Sequence, residues 1–303
     1  MPLDPVVGQR AAAVVLHGAV AVCAAASLGR AWLARGASDW AAVRVRRLGR
    51  WAVAGAILAL LAQGVVLWLQ AAVMADVPPA EAAGAIRDVL VHSRYGIDWS
   101  VGAAALAAAL ALACLRGTRP LALAPLCVFW YARCLNSHAA EQGDVSLLMI
   151  VYVTHLGLIS LWVGEVLVAG LAVLADGRGG PDDARTERIT YVQALSDSAT
   201  LALAGIFATG TYLAWHILSG PGDLVADPYG RTLLAKLACV GLAAAMGGYN
   251  RFYVMPALPV PGAAGAAAAL RLRRVLRWEG GVLLAALALA AVLASSAPPG
   301  SGT

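Results

Sequence analysis

The stretch VSLLMIVYVTHLGLISLWVGEVLVAGLAVL, residues 145–174, carries one formal charge, Glu165, and no proline. About 20 largely apolar residues cross a bilayer as a helix, because lipid offers the backbone no partner and a helix satisfies its own N–H and C=O groups. The run is longer than that minimum and shows no strand alternation, so it reads as a membrane-spanning helix. His155 and Glu165 then lie at a depth where polar groups are expensive, which makes them the first residues to examine for function.

The same pattern recurs on both sides. Apolar runs near 11–29, 51–73, 99–115, 120–137, 145–174, 191–218, 232–254 and 279–296 qualify as spans, eight in all. The 303 residues are 61% hydrophobic and 13% charged, with a mean hydropathy of +0.76, whereas soluble domains carry about 25% charge. The expected fold is an all-α integral membrane protein, a bundle of eight transmembrane helices.

Orientation follows from arginine, which is retained on the cytoplasmic side. Sixteen arginines fall after spans one, three, five and seven, among them Arg30, Arg44, Arg47, Arg116, Arg119, Arg178, Arg188, Arg251 and Arg277. The other side holds Arg10, Arg87, Arg94 and Arg231, so both termini are expected outside (N-out and C-out). Residues 76–97 are too polar to span, and after Pro78 and Pro79 they suggest a short outer surface helix between spans two and three. Pro259–Ala269, rich in Ala and Gly, reads as a flexible inner loop. The net charge of +5 is scattered over several loops without aromatic interleaving, so no nucleic acid is implied. Five cysteines inside or beside apolar runs imply no disulfide framework, and the first apolar stretch lacks the basic lead and cleavage context of a signal peptide.

With this topology all five histidines fall on the outer half: His17, His92, His138, His155 and His216. Sulfur accompanies them. Cys127, Cys134 and His138 are spaced by seven and four, one helical face if span four runs through them, while Met74 and Met149 sit at outer helix ends. Thiolate, thioether and imidazole together favour copper, Cu(I) over Cu(II), above hard cations that prefer oxygen. The candidate metal ligands are His138, Cys134, Met149 and His216 in an outer site, and His17 with His155 in a deeper one. Cys23, Cys239 and Met74 read as packing.

The last third carries ATGTYLAWHILSG at 208–220, DPYGRTLLAKL at 227–237, YNRFYVMPAL at 249–258, RRVLRWEG at 273–280 and ASSAPP at 294–299; upstream stand NSHAAEQGD at 136–144 and THLGLISLWVGE at 154–165. In these elements the chain resembles the bacterial copper resistance protein D (CopD) family. The resemblance implies an inner-membrane protein handling periplasmic copper, often with a soluble periplasmic copper carrier of the CopC type. Where the family's Trp-x-Gly element usually continues with a small residue, this chain has Glu165. Two regions are expected: 1–180, with most of the His, Cys and Met candidates, and 185–300, the CopD-like part.

The expected function is acceptance of periplasmic copper and its passage into or across the bilayer, without ATP, since no Walker motif is present. The alternative is a haem b-binding oxidoreductase of the cytochrome b type with His17 and His155 as axial ligands, although no second histidine pair one membrane depth away completes an electron relay. No nucleophile stands in an elbow or triad context, so hydrolysis is not expected, while redox activity stays open. Glu279 is expected at the cytoplasmic start of span eight, pairing with Arg251.

Overall fold

The structure, a computed structural model, describes residues 5–115, 121–176, 184–218, 220 and 222–296. The described residues form helices and turns without strands. In order these are α1 Pro5–Leu33, α2 Asp39–Met74, α3 Ala83–His92, α4 Arg94–Cys114, α5 Leu123–Cys134, α6 Leu147–Val168, α7 Arg185–Ile217, α8 Asp223–Ala226, α9 Pro228–Tyr249 and α10 Ala263–Ala294. A π turn, Ala169–Val173, extends α6, and another, Asn250–Val254, extends α9.

The helices begin where the sequence supplies an oxygen to the first free amides. Ser38, Ser93 and Ser146 accept from the backbone of Ala41, Gly96 and Met149, and Asp227 does so for Tyr229 with Pro228 in the first turn. At its C-terminal end the α6 segment delivers its last carbonyls to arginine: Arg47 Nη1 donates to Ala172 O at 2.8 Å and Arg44 Nε to Val173 O at 3.3 Å. Both arginines also pair with Asp176.

Among the described residues seven helices are long and apolar enough to cross a membrane. Span four is the exception to the expected eight: α5 has 12 residues, roughly 18 Å at the α-helical rise. Pro125 lies in its first turn, and the Ser137 hydroxyl takes the Cys134 carbonyl at 2.6 Å, turning the chain. His138 therefore opens a separate 3-10 turn, His138–Gln142, instead of continuing the Cys127–Cys134 face. The loop at Pro259–Ala269 also needs correction, because α10 starts at Ala263; a run of alanines has the best helix propensity available. The surface helix is present as α3, whose Val89 packs on Leu67 and Ala71 of α2. Arg116, Arg119, Arg178, both termini and Pro298–Pro299 lie outside the described residues.

α1 is the hub, packed on α2, α6 and α10. Its Ala19–Ala25 segment meets both neighbours at backbone distance. A Cβ on Gly55 of α2 would lie 2.9 Å from Ala19 O, and one on Gly164 of α6 would lie 2.0 Å from Ala21 O. Small residues substitute here for the hydrophobic effect, which does not act between helices in lipid, and let dispersion hold the bundle. α9 leans mainly on α10 and buries only Gly230 and Ala243. Large side chains such as Leu201, Phe207, Trp215 and Phe252 point outward, as lipid-facing residues do.

A polar clasp joins the front of the chain to α7. Glu187 accepts from Ala37 N at 2.7 Å and Ser38 N at 3.0 Å, and the Ser38 hydroxyl donates to its other oxygen. Glu187→Ala is expected to lose about 1 kcal/mol and lower the thermal unfolding midpoint by roughly 2–4 °C, measured in detergent by tryptophan fluorescence.

Candidate functional site

Cys134 at the end of α5 and Met149 in the first turn of α6 are each 1% exposed and share one cluster with Leu148, Leu213 and Ala139. Tyr152 and Tyr212 pack against the same cluster. The imidazole of His216 stacks on Tyr212 with ring centroids 4.2 Å apart. Its Nδ1 lies 2.9 Å from the Tyr212 carbonyl. A carbonyl only accepts, so Nδ1 carries a proton, which leaves Nε2 as the nitrogen that could bind an ion. Two sulfurs thus share one buried cluster, and His216 reaches its edge through Tyr212. His138 belongs to the adjacent turn, and its side chain lies outside the described part of the structure.

His155, on α6, faces α7. Its Nδ1 lies 2.8 Å from Thr209 Oγ1, and that hydroxyl donates to Gly205 O at 2.6 Å. With the hydroxyl proton committed to the carbonyl, Nδ1 must carry the ring proton, and Nε2 keeps its lone pair. A histidine so oriented is prepared to bind a metal, since the partner of one nitrogen fixes the lone pair on the other. Lys236 of α9 lies within electrostatic range of the ring.

His17 has different company. Its Nδ1 is buried without a partner among the described residues, and Arg133 of α5 acts on it electrostatically. Arg133 Nε, Gln63 Oε1 and Asp98 Oδ2 are likewise buried without hydrogen bonds. Together with Tyr95, Trp99 and Asn136, these groups line a cavity with room for about one water molecule. A guanidinium here opposes a metal cation at His17. The structure thus joins Cys134, Met149 and, through Tyr212, His216, while His155 turns to α7 and His17 lies apart, buried within electrostatic range of Arg133. Among the described residues no group of three or more His, Cys, Asp or Glu side chains gathers as a metal centre, so an outer site has to count the Met149 thioether.

Glu165, singled out in the sequence, and Glu279 belong to a polar region deeper along α6 that the sequence reading did not bring together. Ser198 of α7 donates to Glu165 Oε1 at 2.6 Å. Glu279 receives a hydrogen bond from the Trp162 side chain. It lies in the middle of α10, not at a helix start, because the helix begins far upstream at Ala263. Arg251, expected to pair with Glu279, instead bonds Ser196 at 2.7 Å and Asp197 at 2.9 Å. The signal available beforehand was the bare presence of Glu165 in an apolar run.

Two family models match the chain: "Copper resistance protein D" over residues 189–293 and "Copper resistance protein D-like, N-terminal domain" over residues 6–147. No curated protein and no solved structure matches it. The segment between the two matches contains His155, Trp162 and Glu165.

Proposed function

The chain belongs to the copper resistance protein D family, a multi-pass membrane protein linked to copper resistance, and from that premise we propose that it takes copper from the periplasm and passes it into or across the inner membrane. The observation that carries this reading is the cluster that buries Cys134 and Met149 together, with Tyr212 and its stacked His216 packed against it. Soft donors of this kind select Cu(I). His155, with Nε2 free of the Thr209 bond, is the next ligand inward, and His138 completes the proposed set as a vestibule ligand, whereas His17, under the field of Arg133, is left out of it. The ion is cargo. Confinement of these ligands to the outer half favours uptake or periplasmic buffering over export.

In this reading both termini are periplasmic, α5 completes an eighth crossing with its flanking turns, and a soluble carrier of the CopC type delivers the ion. Residues 1–180 form the ligand-bearing region, and 185–300 form the region it docks on. The haem b alternative finds no support in either family match, and His155 is engaged by Thr209 of α7 whereas His17 feels Arg133 of α5.

Thr209→Val tests the ligand role of His155 without altering shape. It removes the acceptor that fixes the ring, and loss of such an outer partner weakens metal binding by about 10–100-fold. The expected result is that drop in Cu(I) affinity, read by competition with a coloured chelator, at an unchanged unfolding midpoint. Equal affinity would remove His155 from the site.

A further inference from the structure

Glu165 and Glu279 are each 2% exposed, and each has one carboxyl oxygen, Oε2, buried without a hydrogen-bond partner among the described residues. The other oxygen receives a single neutral donor, the Ser198 hydroxyl for Glu165 and the Trp162 side chain for Glu279. No ion pair among the described residues reaches either carboxyl. One neutral donor does not compensate a buried carboxylate, whereas a carboxylic acid places its proton on the oxygen that is left over. Both groups have that leftover oxygen.

A third polar group belongs to the same layer. A Cβ on Gly247 of α9 would lie 3.6 Å from Glu279 Oε1, and three residues further along the same helix stands Asn250, 4% exposed with both Nδ2 and Oδ1 unpartnered. Asn250 opens the π turn of α9, and the π turn of α6 starts four residues after Glu165. Both turns pack against α10. π turns inside helices cluster at functional sites because they loosen the backbone ladder. The charged and titratable groups nearest this layer are Tyr191 on α7, which Glu165 influences electrostatically, Asp197 on α7, next to Ser198 and bonded to Arg251, and, on α10 two residues before Glu279, Arg277, whose stem approaches Gly170.

We propose that Glu165 and Glu279, with Asn250, form a proton-binding site between α6, α7, α9 and α10, each carboxyl holding one exchangeable proton on Oε2. The site is separate from the outer sulfur cluster, and it stands whether or not copper is the cargo. Each proton is taken up from water by a carboxylate and returned to water, so charge balances without a further reactant.

The test is infrared spectroscopy of the copper-free, full-length protein in lipid nanodiscs, between about pH 5 and about pH 10, in H2O and D2O. The difference spectra of wild type against Glu165→Gln and against Glu279→Gln are each expected to show loss of a protonated-carboxyl C=O band, shifted in D2O and lost at alkaline pH. Ser198→Ala should shift the Glu165 band and leave the Glu279 band in place, which separates a local change from misfolding. Difference spectra showing only ionised carboxylate, or a protonated band unmoved by D2O, would overturn the proposal.

Discussion

Replacing Gly164 by valine is expected to abolish the native bundle. Even a single Cβ at this position would lie 2.0 Å from Ala21 O, 2.5 Å from Ala21 C and 2.8 Å from Ala25 Cβ. Two of these atoms are backbone, so relief requires moving a helix, not rotating a side chain. Overpacking a tight core costs about 1–3 kcal/mol when side chains absorb it, and a backbone collision on the hub helix exceeds that. The variant should lose well over about 3 kcal/mol and elute as aggregate in size-exclusion chromatography. Gly241→Ala, where a Cβ meets nothing within 4 Å, should behave as wild type. A stable monodisperse Gly164→Val protein would mean that α1 and α6 do not pack as described.

The second large effect falls on the outer cluster. Cys134→Ser together with Met149→Leu removes both sulfurs from positions 1% exposed while nearly conserving volume, and swaps of Met for Leu usually cost less than about 1.5 kcal/mol in stability. The fold should survive. Cu(I) affinity should fall by more than about 100-fold, or about 2.8 kcal/mol, as measured by chelator competition under reducing conditions. Affinity within a few-fold of wild type would show that the ion binds elsewhere.

How far the sequence could be read depended on whether local chemistry or tertiary contact set the outcome. α6 was legible because hardly a residue in it favours water, and α3 because prolines precede a short amphipathic run. α5 was overestimated: hydropathy averages over Pro125, and it does not register that the Ser137 hydroxyl captures the Cys134 carbonyl. That one turn took His138 off the helical face deduced from spacing. The alanine run before Arg271 was read as loop because it is small and featureless, yet the same residues are strong helix formers, and the resulting extension of α10 carried Glu279 from a helix start to its middle. Among the candidate ligands, the closeness of Cys134 and Met149 was legible from their shared depth. The rotation of His155 toward Thr209 and the closeness of Arg133 to His17 were not, since both depend on which neighbour covers each face of α6 and α1.

Metal analysis with the visible absorption spectrum of detergent-purified protein, before and after addition of Cu(I) under reducing conditions, tests the copper reading most directly. The account predicts saturable copper without a Soret band, weakened by His155→Ala and by loss of the Cys134 and Met149 sulfurs. A stoichiometric Soret band, or copper that washes off wild type and variants alike, would contradict it.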